Sequence, residues 1–282
     1  VSESIGGEKA NLGPSFYNIV VGPILLVIIL LTGICTLTGW KQETALTLLR
    51  RFALPLVISL ILIITLVLTT SLASWAAFAL AVCAFVICSV LIEAYRMVKA
   101  RSQIRGENPI KALIGSLGAS RSRYGAMIIH LGIALIAIGV IGSSAYTAEK
   151  EISLFPGEST TLNQYTLTYD GLKDRSTASM DIVTATLSVQ NGGHFIGHLT
   201  PEKIFHRSFE QPVTEVAIHS TLREDLYVIL AGWSDDSTAQ FNIMVKPVIK
   251  WIWIGGGFLM FGGLIALWMP RRAKPKASVA EI

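Results

Sequence analysis

Long apolar segments fill the first half of the chain, and one more stands near its end. Each is long enough to cross the roughly 30 Å hydrocarbon core of a bilayer. The pattern therefore predicts a polytopic α-helical membrane protein with about five spans. The predicted spans are residues 19–39, 52–70, 72–97, 124–145 and 248–269. A very short connection near Thr70–Ala73 predicts that the second and third spans form an antiparallel hairpin.

A polar segment with a different pattern separates the fourth and fifth spans. Its β-branched and aromatic residues alternate approximately with polar ones, which is typical of β-strands. The predicted strands are residues 165–172, 181–190, 213–220 and 225–233. Turn signals separate them at Pro156-Gly157, Asp170-Gly171, Asn191-Gly192-Gly193 and Asp235-Asp236. The Asn-Gly-Gly turn predicts a hairpin. We therefore predict an inserted small antiparallel β-barrel or sandwich domain over residues 146–247.

The composition agrees with a membrane protein that carries a soluble insert. Hydrophobic residues make up 52% of the 282 residues and charged residues only 15%. The mean hydropathy is +0.57. These values exclude an ordinary soluble domain. The net charge of +4 needs no nucleic acid to explain it. Most of the excess positive charge flanks the predicted spans, where it sets their orientation in the lipid bilayer.

Basic residues cluster after the first, third and fifth spans, and the positive-inside rule places all three clusters in the cytoplasm. Alternating spans require these three segments to lie on one side, so the charge pattern and the span count agree. Residues 1–18 and 146–247 are then extracytoplasmic. Residues 19–145 hold four transmembrane helices, residues 248–269 the final one, and residues 270–282 a cytoplasmic tail. The basic residues are Lys41, Arg50, Arg51, Lys99, Arg101, Arg105, Lys111, Arg121, Arg123, Arg271, Arg272, Lys274 and Lys276.

The fourth span carries a histidine, His130, and no other predicted span contains one. An imidazole in a membrane helix usually faces protein, water or a cofactor rather than lipid. Its neighbours at helical spacing include three alanines, which leave room for a bulky group. Neutral imidazole is a good axial ligand for haem iron. A hydrogen bond to a neighbouring helix is an equally open interpretation. These neighbours are Ala126, Met127, Ile133, Ala134 and Ala137.

The remaining candidate residues favour structural roles. Glu93 stands three residues before Arg96 near the cytoplasmic end of the third span, which predicts an ion pair between them. Three cysteines lie within apolar runs and outside any CxxC motif, so we interpret them as packing residues. The four histidines of the β-domain lack metal-ligand spacing. The cysteines are Cys35, Cys83 and Cys88, and the histidines are His194, His198, His206 and His219.

Four segments of the chain, in this order, resemble the C-terminal half of the CcmF family. They are LGPSFYN (12–18), RYGAMIIHLG (123–132), DLYVILAGW (225–233) and KPVIKWIWIGGGFLMFGG (246–263). CcmF is the haem lyase subunit of the cytochrome c maturation system. The related NrfE subunit, dedicated to nitrite reductase maturation, has the same pattern.

The resemblance implies a function in the bacterial inner membrane, with the β-domain in the periplasm. The family attaches haem covalently to the CxxCH thiols of an apocytochrome c. It also holds a b-type haem between two transmembrane histidines, and the second of these matches His130. His130 would then be an axial ligand of the haem b iron, with no catalytic residue in this chain. The implied partners are a CcmE-like haem chaperone, a CcmH-like thiol-reducing subunit and the apocytochrome.

Elements of the family's N-terminal half have no match in this chain. They are the WWD segment, its two flanking histidines and the first transmembrane histidine. We therefore expect the chain to be a fragment or one polypeptide of a split protein, and to need the N-terminal half of the lyase as a partner. The alternative function is a non-catalytic docking module of the maturation complex, or an NrfE-type subunit. A transporter subunit is disfavoured because the spans hold few polar residues.

Overall fold

The computed structural model describes residues 14–38, 44–69, 74–207, 211–234 and 237–268. Five of the described helices are long and apolar enough to cross a membrane, which confirms the predicted membrane protein with about five spans. A shorter helix, α4, lies between the third and fourth of them. The helices are α1 (Pro14–Leu37), α2 (Ala45–Thr69), α3 (Ser74–Arg105), α4 (Pro109–Ala119), α5 (Arg121–Ala145) and α6 (Lys250–Leu267).

Several predictions fall outside the described residues. They are most of the N-terminal segment over residues 1–18, the Thr70–Ala73 connection, the Asp235-Asp236 turn and the tail over residues 270–282. The chain forms two compact units. The first unit, here the helical unit, comprises Val1–Leu62, Val82–Ala134 and Gly255–Ile282. The second, here the β-containing unit, comprises Ile63–Ala81 and Leu135–Ile254.

Glycines bring α5 and α6 into backbone contact within the helical unit. A Cβ atom added at Gly132 would lie 2.8 Å from the carbonyl oxygen of Gly255. One added at Gly125 would lie 2.7 Å from the carbonyl oxygen of Gly262. Side chains larger than hydrogen therefore do not fit at these positions. Small residues let membrane helices approach closely, and van der Waals contact then stabilises the pair in the absence of a hydrophobic driving force.

Aromatic and small residues join the other helices of the helical unit. Gly33 of α1 lies against Phe85 of α3, whose ring would be 2.9 Å from an added Cβ atom. The same Phe85 ring stacks on Phe52 of α2, with a distance of 6.3 Å between the ring centroids. The α3 helix is therefore the common neighbour of α1 and α2. Much of its central surface is buried, including Val82, Val86 and Ser89.

The β-containing unit holds ten described strands in two antiparallel sheets, which confirms the inserted β-domain. One sheet has the strand order β1-β10-β9-β8. The other has the order β2-β3-β4-β6-β7, with β5 also paired to β4. The strands are β1 (Ala148–Leu154), β2 (Ser159–Leu162), β3 (Tyr165–Ser176), β4 (Met180–Asn191), β5 (His194–Leu199), β6 (Glu202–His206), β7 (Val213–Glu215), β8 (Ala217–Ser220), β9 (Glu224–Trp233) and β10 (Ala239–Pro247).

The two sheets enclose one apolar core that draws side chains from both. Tyr169 of β3 and Phe241 of β10 meet edge to face, with 5.1 Å between their ring centroids. The Tyr169 hydroxyl donates a hydrogen bond to the Ser237 carbonyl oxygen at 3.2 Å, so its polar end is satisfied. Burial raises the pKa of Tyr169 above its ordinary value, which keeps the phenol protonated.

The end of α5 and the start of α6 are joined twice within the β-containing unit. Strands β1 and β10 pair in antiparallel register, with Ala148 opposite Val245. Because β1 follows α5 and β10 precedes α6, this pairing holds the two helix ends together. Gly139 of α5 packs against Ile252 of α6, and a Cβ atom added there would lie 2.6 Å from that side chain.

The hairpin at Asn191-Gly192-Gly193 is confirmed, since β4 and β5 pair across it and both glycines have positive φ. The turn predicted at Asp170-Gly171 is wrong. Both residues lie inside β3, where the pairing with β4 shifts register between Tyr169 and Gly171. Gly171 has φ of +143°, which suits an irregularity within a strand. An Asp-Gly pair favours a turn and a β-bulge for the same conformational reason.

The predicted strand over residues 213–220 is divided between the two sheets. Strand β7 pairs with β6, whereas β8 pairs with β9. Val216 lies between them and belongs to neither strand. The chain therefore changes sheets within a stretch whose approximate alternation predicts one continuous strand.

We predict that Gly132→Ala lowers the stability of the chain by about 1–3 kcal/mol, because the methyl group overpacks the α5–α6 contact. Gly256→Ala is the matched control, since a Cβ atom there meets nothing within 4 Å. Thermal unfolding of the purified chain in detergent compares the two variants. Equal unfolding midpoints for Gly132→Ala and the wild type would show that the α5–α6 contact is looser than described.

Candidate functional site

A cavity of about 1040 Å³ lies in the helical unit, and His130 lines it. Its volume lies just above the roughly 300–1,000 Å³ that ligand clefts usually occupy. Residues from α1, α2, α3, the α4–α5 junction and the end of α6 form the other walls. They are Cys35, Thr36, Thr38, Arg51, Glu93, Gly118, Ala119, Ser120, Arg121, Ser122, Arg123, Ala126, Met127, Ala266 and Trp268.

The α5 helix presents His130 to the cavity through its helical periodicity. Ala126, Met127 and Arg123 precede His130 by four, three and seven residues, and all of them line the cavity. Two of the five neighbours named from the sequence, Ala126 and Met127, therefore share the cavity with the imidazole. The small Ala126 side chain leaves the volume beside His130 open, as the sequence suggested.

The imidazole of His130 contacts α1 through a hydrogen bond. Its Nδ1 atom lies 3.1 Å from the Thr36 hydroxyl oxygen. The same hydroxyl donates to the Thr32 carbonyl oxygen one turn earlier, at 2.7 Å. Among the described residues, the Nε2 atom of His130 makes no hydrogen bond. One ring nitrogen is thus held by protein, while the other makes no hydrogen bond within the described part of the chain.

Positive charge dominates the cavity wall, where three arginines stand beside one carboxylate. Arg123 donates from Nη2 to the Glu93 carboxylate at 2.7 Å. The Arg121 guanidinium lies over the Trp268 ring, 6.0 Å from its centroid. Arg51 donates to the carbonyl oxygen of Leu37 at 3.3 Å. A net positive wall of this kind favours a ligand with anionic groups.

The pairing of Glu93 differs from the sequence-based prediction. Its carboxylate lies 3.9 Å from Arg96, the predicted partner, but only 2.7 Å from Arg123 on a different helix. The Glu93 side chain is only 9% exposed, so a charge partner is required there. Sequence spacing finds partners within one helix and gives no signal for a partner thirty residues away.

The β-domain histidines do not form a ligand cluster. His198 lies on the surface, with Nδ1 at 3.2 Å from the Ser188 hydroxyl and 3.6 Å from the Asp170 carboxylate. His194 is exposed, and His206 and His219 are half-buried. No group of three or more His, Cys, Asp or Glu residues within the described part of the chain is arranged to hold a metal ion.

The three cysteines are free thiols in different surroundings. Cys83 is buried within α3 and Cys88 is half-buried on the same helix, which suits packing roles. Cys35 is exposed and lines the cavity beside Thr36. No local pattern in the sequence distinguishes Cys35 from the other two, because its place in the cavity depends on contacts between helices.

Known proteins resemble this chain over its whole length. The cytochrome c-type biogenesis protein CcmF of Pseudomonas fluorescens is 30% identical over 283 aligned positions, which cover 100% of this chain. The Escherichia coli CcmF is 26% identical and also covers 100% of it. A family model described as the CcmF C-terminal beta-sandwich matches residues 145–247. The chain corresponds to the C-terminal half of the CcmF/NrfE family.

The CcmF relatives are longer than this chain, which spans 42% of the length of both of these relatives. A solved structure titled Cytochrome c Heme Lyase CcmF shares the fold, with a TM-score of 0.68 over 91% of this chain and 41% of that one. It is 21% identical in sequence. NrfE of Haemophilus influenzae is 26% identical over 155 positions, or 55% of this chain. The resemblance found in the sequence segments is confirmed.

We predict that Glu93 and Arg123 stabilise the helical unit jointly. A double-mutant cycle with Glu93→Gln and Arg123→Gln should give a coupling energy of about 1 kcal/mol. A larger value is not expected because the Arg123 side chain is 55% exposed and therefore screened. The free energy of unfolding of the purified chain, measured by titration with a denaturing detergent, gives the coupling.

The matched cycle uses Glu93→Gln with Arg96→Gln, which tests the pair expected from the sequence. Its coupling should be the smaller of the two, because the Arg96–Glu93 distance is 3.9 Å. A larger coupling to Arg96 than to Arg123 would contradict the pairing between α3 and α5.

Proposed function

We propose that this chain is the C-terminal part of a cytochrome c haem lyase of the CcmF type, and that it binds a b-type haem in the membrane. His130 supplies one axial ligand to the iron in this proposal. The observation that carries it is the position of the His130 imidazole in the wall of a cavity of about 1040 Å³. The segment around His130 is also one of those on which the family resemblance rests.

The residues around the cavity fit a haem group. The imidazole is a common axial ligand, and its Nε2 atom has no partner among the described residues. Ala126 and Met127 provide apolar wall next to it. Arg51 and Arg121 are suited to hold the carboxylate groups of the haem, because guanidinium groups bind carboxylates strongly. When bound, a b-type haem supplies one-electron transfer, and its axial ligands and burial tune the potential.

A second histidine ligand in the membrane would come from outside this chain. The sequence has five histidines, and the four besides His130 lie in strands β5, β6 and β8. None of these four belongs to a membrane-spanning helix. We therefore propose that the N-terminal half of the lyase contributes the partner histidine and the site of haem attachment. The chain presented here holds the haem b but performs no chemistry on the apocytochrome by itself.

The names of the relatives support the choice of substrate. They are cytochrome c-type biogenesis proteins, so the substrate proposed for the assembled lyase is an apocytochrome c with a CxxCH motif. A CcmE-like haem chaperone and a CcmH-like thiol-reducing subunit would deliver the haem and the reduced thiols. The positive-inside rule supports a bacterial inner-membrane protein with the β-domain in the periplasm and the C-terminus in the cytoplasm.

A docking role for the β-domain is the second candidate function, and an exposed aromatic pair favours it. Phe205 of β6 and Trp233 of β9 meet edge to face, with 6.0 Å between their ring centroids. Their exposed fractions are 38% and 37%, so both rings reach the surface. Aromatic residues are enriched in protein interfaces. An NrfE-type role in nitrite reductase maturation is supported by the similarity to NrfE.

We predict that His130→Ala abolishes the b-type haem signal when the chain is expressed together with the N-terminal half, because the iron loses an axial ligand. The reduced-minus-oxidised absorption spectrum of the purified complex measures this signal. His198→Ala, a change at an exposed histidine of the β-domain, is the matched control and should retain the full signal.

A normal spectrum for His130→Ala in an intact complex would contradict the proposed ligand role. It would leave His130 as a helix-packing residue and favour the docking function. A full signal from this chain alone would show that the partner histidine is not required for haem binding.

A further inference from the structure

We propose that Thr36 is a positioning residue that fixes the neutral His130 imidazole in its Nδ1–H tautomer, so that Nε2 carries a free lone pair facing a ligand. The tautomer follows from the hydrogen bonds alone. Only the further step, in which Nε2 binds haem iron, rests on the proposed function. Thr36 belongs to α1, and nothing in the sequence near His130 points to it.

The single proton of the Thr36 hydroxyl group determines the tautomer of His130. A threonine hydroxyl has one proton to donate and two lone pairs that accept. Thr36 Oγ1 lies 2.7 Å from the Thr32 carbonyl oxygen, which is an acceptor only, so the hydroxyl proton is used there. The 3.1 Å contact between Thr36 Oγ1 and His130 Nδ1 then needs a proton from the ring. Nδ1 must therefore be the protonated nitrogen.

The orientation of the Thr36 hydroxyl is set by α1 itself. Threonine in a helix commonly bonds the carbonyl three or four residues earlier. Thr32 does the same one turn before, where its hydroxyl donates to the Ile29 carbonyl oxygen at 2.7 Å. The lone pairs of the Thr36 hydroxyl oxygen are thus oriented by α1 alone, without any contact from α5. Serine keeps this arrangement, whereas valine keeps the side-chain shape but removes the acceptor.

The consequence for Nε2 follows from the chemistry of imidazole. A neutral imidazole carries one N–H and one lone pair, so a protonated Nδ1 leaves Nε2 unprotonated. Histidines that bind metals almost always donate the other ring N–H to a fixed acceptor, which sets the ring orientation and raises the basicity of the ligand. The only carboxylate in the cavity wall, Glu93, is bonded to Arg123 and makes no hydrogen bond to His130 among the described residues. Thr36 is therefore the acceptor for the ring.

Nitrogen-15 NMR of the haem-free chain in detergent tests the tautomer directly. Histidine is labelled with nitrogen-15, and His130→Gln identifies the His130 signals by their loss. The measurement is made at pH ~8, where an imidazole with an ordinary pKa of ~6.5 is neutral. We expect the Nδ1–H tautomer in the wild type and in Thr36→Ser. In Thr36→Val the Nε2–H tautomer should gain population.

Thr38→Val is the matched control, because Thr38 also lines the cavity but its hydroxyl bonds the Cys35 carbonyl oxygen, not His130. The wild-type signals should persist in this variant. A predominant Nε2–H tautomer in the wild type, or an unchanged tautomer in Thr36→Val, would overturn the proposal.

The midpoint potential of the haem in the complex with the N-terminal half tests whether the Thr36–His130 hydrogen bond affects the bound iron. Loss of the hydrogen bond in Thr36→Val lowers the basicity of the ligand, so the potential should rise and haem affinity should fall by about 10- to 100-fold. Thr36→Ser should restore both values. An unchanged midpoint potential and haem affinity in Thr36→Val would show that Thr36 does not influence the iron.

The two inferences fail in different ways. If His130→Ala keeps its haem while the NMR shows the Nδ1–H tautomer, the ligand role fails and the role of Thr36 as a positioning residue stands. If His130→Ala loses its haem while the NMR shows the Nε2–H tautomer, the ligand role stands and the role of Thr36 fails.

Discussion

The backbone contact between α5 and α6 determines which side of α5 is available for function. Gly125 and Gly132 are two helical turns apart, so they lie on one side of α5 and meet the glycines of α6. His130 is two residues before Gly132, about 200° away around a helix with 3.6 residues per turn. Packing of the glycine face therefore turns the imidazole toward α1 and the cavity. A rotation of α5 would place side chains where only hydrogen atoms fit.

Polar groups in the helical unit are few, and most of those at the cavity are paired within it. A membrane offers no water to satisfy a buried polar atom, so these polar groups must form hydrogen bonds or ion pairs within the protein. The Glu93 carboxylate has Arg123, and the Thr36 hydroxyl joins His130 to the Thr32 carbonyl group. These contacts link α3 and α1 to the same α5 face. The site is thus held by the interactions that also satisfy its buried polar atoms.

The sequence predicts the elements of this protein better than the contacts between them. Five spans and a β-domain follow from apolar length and alternation, which are local properties of the chain. His130 was recognisable because a lone imidazole in a membrane span is costly. The spacing of Gly125, Gly132 and Gly139 by seven residues is a further local signal of a helix contact. Thr32 and Thr36, four residues apart in α1, are another.

Other features depend on distant parts of the chain and had no local signal. The pairing of Glu93 with Arg123 needs α3 and α5 to be neighbours, which no spacing within α3 reveals. The division of residues 213–220 into β7 and β8 depends on which strands they meet. The Asp170-Gly171 pair carries the same conformational preference in a turn and in a bulge, so only the pairing of β3 with β4 decides between them.

The central claim is that His130 of this chain binds the iron of a haem shared with the N-terminal half. Pulsed electron paramagnetic resonance of the oxidised complex tests it most directly, with nitrogen-15 histidine in this chain only. We predict hyperfine coupling of the iron to one nitrogen-15 axial ligand, which disappears in His130→Gln. Coupling to unlabelled nitrogen alone, in a complex that contains haem, would show that both ligands come from elsewhere.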